Sequence, residues 1–216
     1  MRIFAFRNIL RVAILGCIFA CFSYAGEEVD EILSKLQKKY DSIRDVSVTF
    51  VQSVRFGVTG SEQTFSGKML MKKGNKYRIE MEEQTIVTDG KSVWSFSKIN
   101  NQVLIDKYKE DPKSFSPDRV VVNVPANYNA TTLGKEKVNN TEMTVLKFVP
   151  KNEKSLLKWM KAWIDEDDWL MKKIQILDMS DNVTTYSINN ITLNPGIADN
   201  QFQFVVPSSV EVIDMR

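Results

Sequence analysis

Between Val29 and Ile43, apolar side chains recur at Val29, Ile32, Leu33, Leu36, Tyr40 and Ile43, the spacing of one face of a helix. Acidic residues crowd its first turn and Lys38 and Lys39 come later, the order that suits the helix dipole. After Asp45 the period shortens to two. Val46, Val48 and Phe50 alternate with Ser47, Thr49 and Val51. Met69 and Met71 alternate with Lys68 and Lys72, and Tyr77, Ile79 and Met81 with Lys76, Arg78, Glu80 and Glu82. Alternation of this kind predicts strands with one face in water and one covered. Gly74-Asn75 and Asp89-Gly90 fall between such runs as hairpin turns. Further strands are predicted over 85–88, 92–97, 102–108, 132–137, 141–149, 156–165, 170–178, 183–193 and 201–206. The run Leu156, Trp159, Met160, Trp163, Ile164 also fits a helical face; the acidic turn 165–168 that follows favours a strand. Prolines 112, 117 and 125 interrupt the pattern, and Ser116-Pro117-Asp118 predicts a short helix over 117–123.

About a dozen strands and no βαβ alternation predict a mainly β fold with some α structure. The sheet should be antiparallel and too wide to stay flat, so it curves into an unclosed barrel. The helices should cover its concave face. One domain over 26–216 accommodates all of it.

The first 25 residues differ from the rest. Arg2, Arg7 and Arg11 precede an apolar run, Val12–Phe22, and Ser23-Tyr24-Ala25 supplies small residues at a cleavage site. This pattern predicts a signal peptide cleaved after Ala25 and export from the cytoplasm. Removing those three arginines from 29 basic residues leaves 26 against 27 acidic, a net charge of −1. Nothing in that balance points to nucleic acid. Cys17 and Cys21 both lie within the leader, which raises a lipoprotein reading. Leu15 and Phe19, however, stand where an acylation signal wants a small residue.

Composition also bears on chemistry. The chain has no histidine, and no cysteine beyond residue 21. This excludes a Ser-His-Asp triad, a histidine-ligated zinc site and, after cleavage, a thiol nucleophile. No phosphate-cradling glycine loop occurs, and no cofactor is expected. Asp165-Glu166-Asp167-Asp168 could hold calcium, but lacks the ligand spacing of a calcium loop and reads as a solvated turn. The sequons at Asn129, Asn139, Asn182 and Asn190 matter only in a eukaryotic secretory pathway. An enzyme built on paired carboxylates stays as a minor alternative. The lining of the covered face stands out more: Phe50, Met69, Met71, Tyr77, Ile79, Met81, Trp94 and Phe96 are its candidates. Methionine adapts to irregular apolar ligands. The stripe alone does not distinguish a hollow from an ordinary core under a helix.

Several motifs resemble the LolA family of periplasmic lipoprotein carriers. They are Phe50-Val51-Gln52, the Gly67–Met81 hairpin, Thr88-Asp89-Gly90-Lys91-Ser92-Val93-Trp94, Gln102, and Phe202 to Val212 with Phe204, Pro207 and Val210 between. The resemblance implies an unclosed β-barrel under a helical lid, with a cavity that shields acyl chains. It implies acylated lipoproteins as cargo, loading from an inner-membrane ABC transporter of the LolCDE type, and an outer-membrane receptor as a further partner. A monomer is expected. Where the family carries an Arg-Pro pair whose arginine holds the lid, this chain has Lys73-Gly74. Lysine keeps the charge but not the planar fork of donors. Lys73 is the candidate lid contact; the alternative is an exposed lysine beside a turn. A LolB-like outer-membrane receptor and an envelope lipid- or signal-sensing domain of the same fold are the competing functions.

Overall fold

The computed structural model describes residues 9–109 and 127–216. The expected helix over 117–123 lies outside them. One long helix, α1 (Ile9–Ser42), precedes strands β1 (Asp45–Arg55), β2 (Glu62–Lys72), β3 (Lys76–Met81), β4 (Gln84–Asp89), β5 (Ser92–Ser97) and β6 (Gln102–Lys107). Then follow β7 (Tyr128–Val138), β8 (Thr141–Pro150), β9 (Leu157–Asp165), β10 (Leu170–Asp178), β11 (Val183–Leu193) and β12 (Glu211–Asp214). All twelve form one sheet in the order β12-β6-β5-β4-β3-β2-β1-β11-β10-β9-β8-β7. Every pairing is antiparallel except β12 beside β6. Two meanders, β1–β6 and β7–β11, are thus sewn together by the pair β1–β11. The edges β12 and β7 do not meet, so the barrel is unclosed.

The helix begins well before Val29, because residues 9–25 contain no proline to stop it. Its buried stripe is the one the spacing predicts. Val29, Ile32 and Leu36 pack with Leu146, Phe148, Met160, Ala162, Ile164, Met171, Ile174 and Ile176. The helix therefore lies on the β8–β10 half of one face. Leu36 is fully buried, and a leucine so placed stabilises the fold by about 1.5–3 kcal/mol. The strand reading of residues 157–164 holds: its alternate residues Met160, Ala162 and Ile164 meet the helix while Trp163 points away.

Register shows which side chains share that inner face. Directly opposed residues point the same way, so Met69, Ile79, Ile86, Ser95 and Leu104 form one rank from β2 to β6. Leu70, Arg78, Val87, Trp94 and Ile105 form the next rank, on the outer face. Phe50 pairs with Ile188 and packs at 6.4 Å, rings tilted, against Tyr186, which opposes Ile174 beneath the helix. The methionine face and the helix face are therefore one surface.

The segment after β11 departs from the predicted strand over 201–206. It forms a short 3-10 turn, Asp199–Phe202, and the last strand comes later, at Glu211–Asp214. The alternation of Phe202 and Phe204 reflects packing on the outer face instead of pairing in the ladder. Phe202 is 1% exposed and Phe204 lies 5.7 Å from the ring of Phe96. Lys72 Nζ donates to the Ile197 carbonyl at 2.8 Å and pairs with Asp199 at 2.6 Å; Lys76 pairs with Asp199 at 2.9 Å. Buried Asp45 accepts from the Gly196 amide at 2.9 Å. This strap carries the chain across the outer face to the β6 edge.

Candidate functional site

A cavity of about 280 Å³ lies where the end of α1 meets the inner face. Its floor is apolar: Val46 and Val48 of β1, Met69 and Met71 of β2, Ile174 of β10, and Ile188, Ile191 and Leu193 of β11. Tyr40, Tyr77 and Tyr108 add aromatic walls, and Arg44, Lys72, Lys73 and Lys76 edge it with positive charge. Lys72 and Lys76 are tied to Asp199 of the strap. Burial pushes the Tyr40 phenol up to about 12 despite a hydrogen bond at the Met171 backbone, so it stays neutral. Volume and lining resemble the lower end of small-ligand pockets, which run roughly 300–1,000 Å³ and are mostly apolar.

Turn chemistry brings the β2–β3 hairpin to the cavity edge. Gly74 and Asn75 both have positive φ, and Gly90 of the next hairpin packs on them. A Cβ on Gly90 would stand 2.4 Å from the Gly74 carbonyl oxygen, and its φ of 88° favours glycine in any case. The hairpin presents Lys73 to the helix end. Its Nζ donates to the Asp41 carbonyl at 2.7 Å and its amide to the Arg44 carbonyl at 3.0 Å. The Arg44 amide in turn donates to Asn194 Oδ1 at 2.7 Å.

The predicted lining separates into three groups. Met69, Met71, Tyr77 and Lys73 line the cavity. Phe50, Ile79 and Met81 share its face but stand outside the lining, with Phe50 wedged against Gly67. Trp94 and Phe96 are corrected: they project from the outer face, where Phe96 meets Phe204. The hairpin between β4 and β5 inverts the parity that a sequence run suggests, and only the register Ile86–Ser95 reveals it. Tyr40, Ile188, Ile191 and Leu193 were not anticipated. A register shift between Ser47 and Thr49, with Asn190 at φ 47°, breaks the simple alternation of β11.

The acidic turn holds no unclaimed ligand set. Asp165 accepts from the Asp167 amide, Asp168 pairs with Lys172, and Glu166 accepts from Thr144. Among the described residues no group of three histidine, cysteine or acidic side chains could hold a metal, and no helix is long and apolar enough to cross a membrane.

The family model described as outer membrane lipoprotein carrier protein LolA matches residues 41–205, well over half of the chain. The chain belongs to the LolA family. Among LolA-family relatives, the outer-membrane lipoprotein carrier protein of Glaesserella parasuis is 27% identical, with 97% of this chain and 98% of that one covered. The protein of the same name from Actinobacillus pleuropneumoniae serotype 3 is 25% identical, with 97% and 96% covered. An uncharacterized protein of Methanocaldococcus jannaschii is 26% identical over 93% of this chain, which spans 58% of that longer protein. In structure, an uncharacterized conserved protein from Thermus thermophilus is similar with a TM-score of 0.59 at 14% identity, covering 87% of this chain and 99% of its own. That likeness concerns the fold.

Proposed function

We propose that this LolA-family chain is an exported carrier, cleaved after Ala25, that shields the acyl chains of lipoproteins between the inner and outer membranes. The observation that carries the reading is the apolar cavity under the end of α1. Each buried methylene is worth about 0.8 kcal/mol, so an acylated protein cannot cross water with its chains bare. Methionine side chains suit such cargo because they reshape around chains of different length. The resting cavity is too small for several acyl chains at once. Loading therefore lifts the helix end from the sheet, which means breaking the Lys73–Asp41 bond and the Arg44–Asn194 bond. These bonds are few and exposed; the larger cost is the apolar contact of Tyr40 with the core, which bound acyl chains replace. Loading from an ABC transporter of the LolCDE type and release to an outer-membrane receptor complete the proposed route.

The test is native mass spectrometry with a triacylated lipopeptide. A one-to-one adduct that transfers to acceptor vesicles, and is absent with the unacylated peptide, is the expected result. Absence of acyl-dependent binding overturns the reading. Lys73→Ala removes one charge-assisted bond at the helix end, worth about 1 kcal/mol where exposed. Acyl exchange should quicken severalfold in this variant, read by the rate of lipopeptide transfer between protein and vesicles.

A further inference from the structure

The outer face of the sheet is covered unequally. Over β3–β6 the strap lies on it, with Phe202 buried and Phe204 against Phe96. Over β8–β10 the hydrophobic contacts stay within the sheet, among Val138, Met143, Val145 and Trp163. Register places Lys147 directly opposite Lys161, and Lys173 opposite Trp163 in the neighbouring rank. Like charges opposed across strands repel. Among the described residues none of these lysines has a carboxylate in ion-pair range. Lys161 stands 5.3 Å over the ring of Trp159 and Lys173 4.4 Å over that of Trp163. The carboxylate of Glu136, on the same face, accepts from the Trp163 indole N–H at 2.8 Å. At the Trp159 end, Leu156 and Met179 are 58% and 56% exposed and joined by a backbone bond of 3.1 Å.

We propose that the outer face of β8–β10 docks the protein onto an anionic lipid surface. A row of ammonium groups meets headgroup phosphates, the partly buried indole of Trp159 suits the interfacial layer, and Leu156 and Met179 reach past it. The cations on these strands are all lysines; β8, β9 and β10 carry no arginine. Lysine acts as a point charge for mobile headgroups, whereas a fixed carboxylate on a protein partner favours the arginine fork. The repulsion between Lys147 and Lys161 is kept at a cost that an anionic surface relieves. This proposal is independent of the cavity's cargo.

The test is co-sedimentation of the purified full chain with phosphatidylcholine vesicles, with and without phosphatidylglycerol. The leader, with its apolar run and Arg2, Arg7 and Arg11, is identical in every variant, so the comparison between variants isolates the face. K147Q/K161Q/K173Q should weaken binding to the anionic vesicles by about fivefold for each lysine removed, with no change on neutral vesicles. The control K68Q/K91Q/K107Q carries the same charge change on the other half of the sheet and should bind as the parent does. High salt should remove the parent's preference, and W159F should lose the blue shift of tryptophan emission on binding. K161Q alone, which relieves the repulsion and keeps the other lysines, serves if the triple variant fails to fold. No preference for anionic vesicles, equal weakening by the control, or capture of polyglutamate as tight as that of vesicles without a Trp159 shift would each overturn the proposal.

Discussion

Two glycines and one lysine show how single residues shape the sheet around the cavity. Gly67 opposes Phe50 across β1–β2, and a Cβ there would meet the Phe50 ring at 2.5 Å and the Glu80 carbonyl oxygen at 2.8 Å. The carbonyl belongs to the neighbouring strand and cannot swing aside. Gly67→Ala should therefore destabilise the fold by about 1–3 kcal/mol, read as a lower urea midpoint at unchanged slope. Gly90 is constrained from a different direction, by the turn at Gly74. Both glycines sit in motifs that the sequence resemblance rests on, so those motifs have steric causes. Lys73 illustrates the reverse: nothing in its own spacing says that its ammonium reaches the helix end, because the contact with Asp41 spans two separate elements.

Among the elements, α1 and the strap act from opposite faces of the sheet. The helical stripe was legible because every apolar position from Val29 to Tyr40 meets the same surface. The strap was not, because Phe202 and Phe204 alternate as a strand would while their partners lie across the sheet face. Trp94 and Phe96 misled for a related reason: an apolar residue on either face reads alike, and the strap makes the outer face a second core. The clasp at Asp199 has a pH signature. Lys72 and Lys76 hold its carboxyl down at about 2, from an ordinary 3.8. A lowered carboxyl stabilises the fold above its ordinary value, and that contribution disappears as pH falls from about 4 to 2. Protection of the amides in residues 198–203, taken relative to the intrinsic exchange rate at each pH, should fall across this window. Asp199→Asn should already show the lower protection at neutral pH, with no further loss in acid.

For the whole molecule, alkali should be as informative as acid. Tyr40 is raised to about 12, and Tyr128 and Tyr186 are raised by burial as well. In the unfolded chain these phenols ionise near 10, so the unfolded state loses protons first and stability falls as pH rises above 10. For Tyr40 alone the loss approaches about 2–3 kcal/mol by pH 12. Thermal melts should drop steeply over that range, and Tyr40→Phe should flatten the decline. The overall architecture was legible from alternation and turn signals. The order of strands was less so, since no local pattern places β1 between β2 and β11.

That placement bears on how the chain reaches its shape. The strands of each meander pair with neighbours in sequence, but β1 finds β11 only after Val183–Leu193 exists, with Val46 opposite Leu193. Closing so long a loop is slow compared with hairpin formation. A chain emerging from a ribosome or threading a translocation pore can build hairpins early, yet it cannot join its two halves, complete the cavity floor or seat the strap until nearly all of it has emerged. Such a chain stays loose until nearly all of it has been made, and its cavity floor forms among the last contacts of folding.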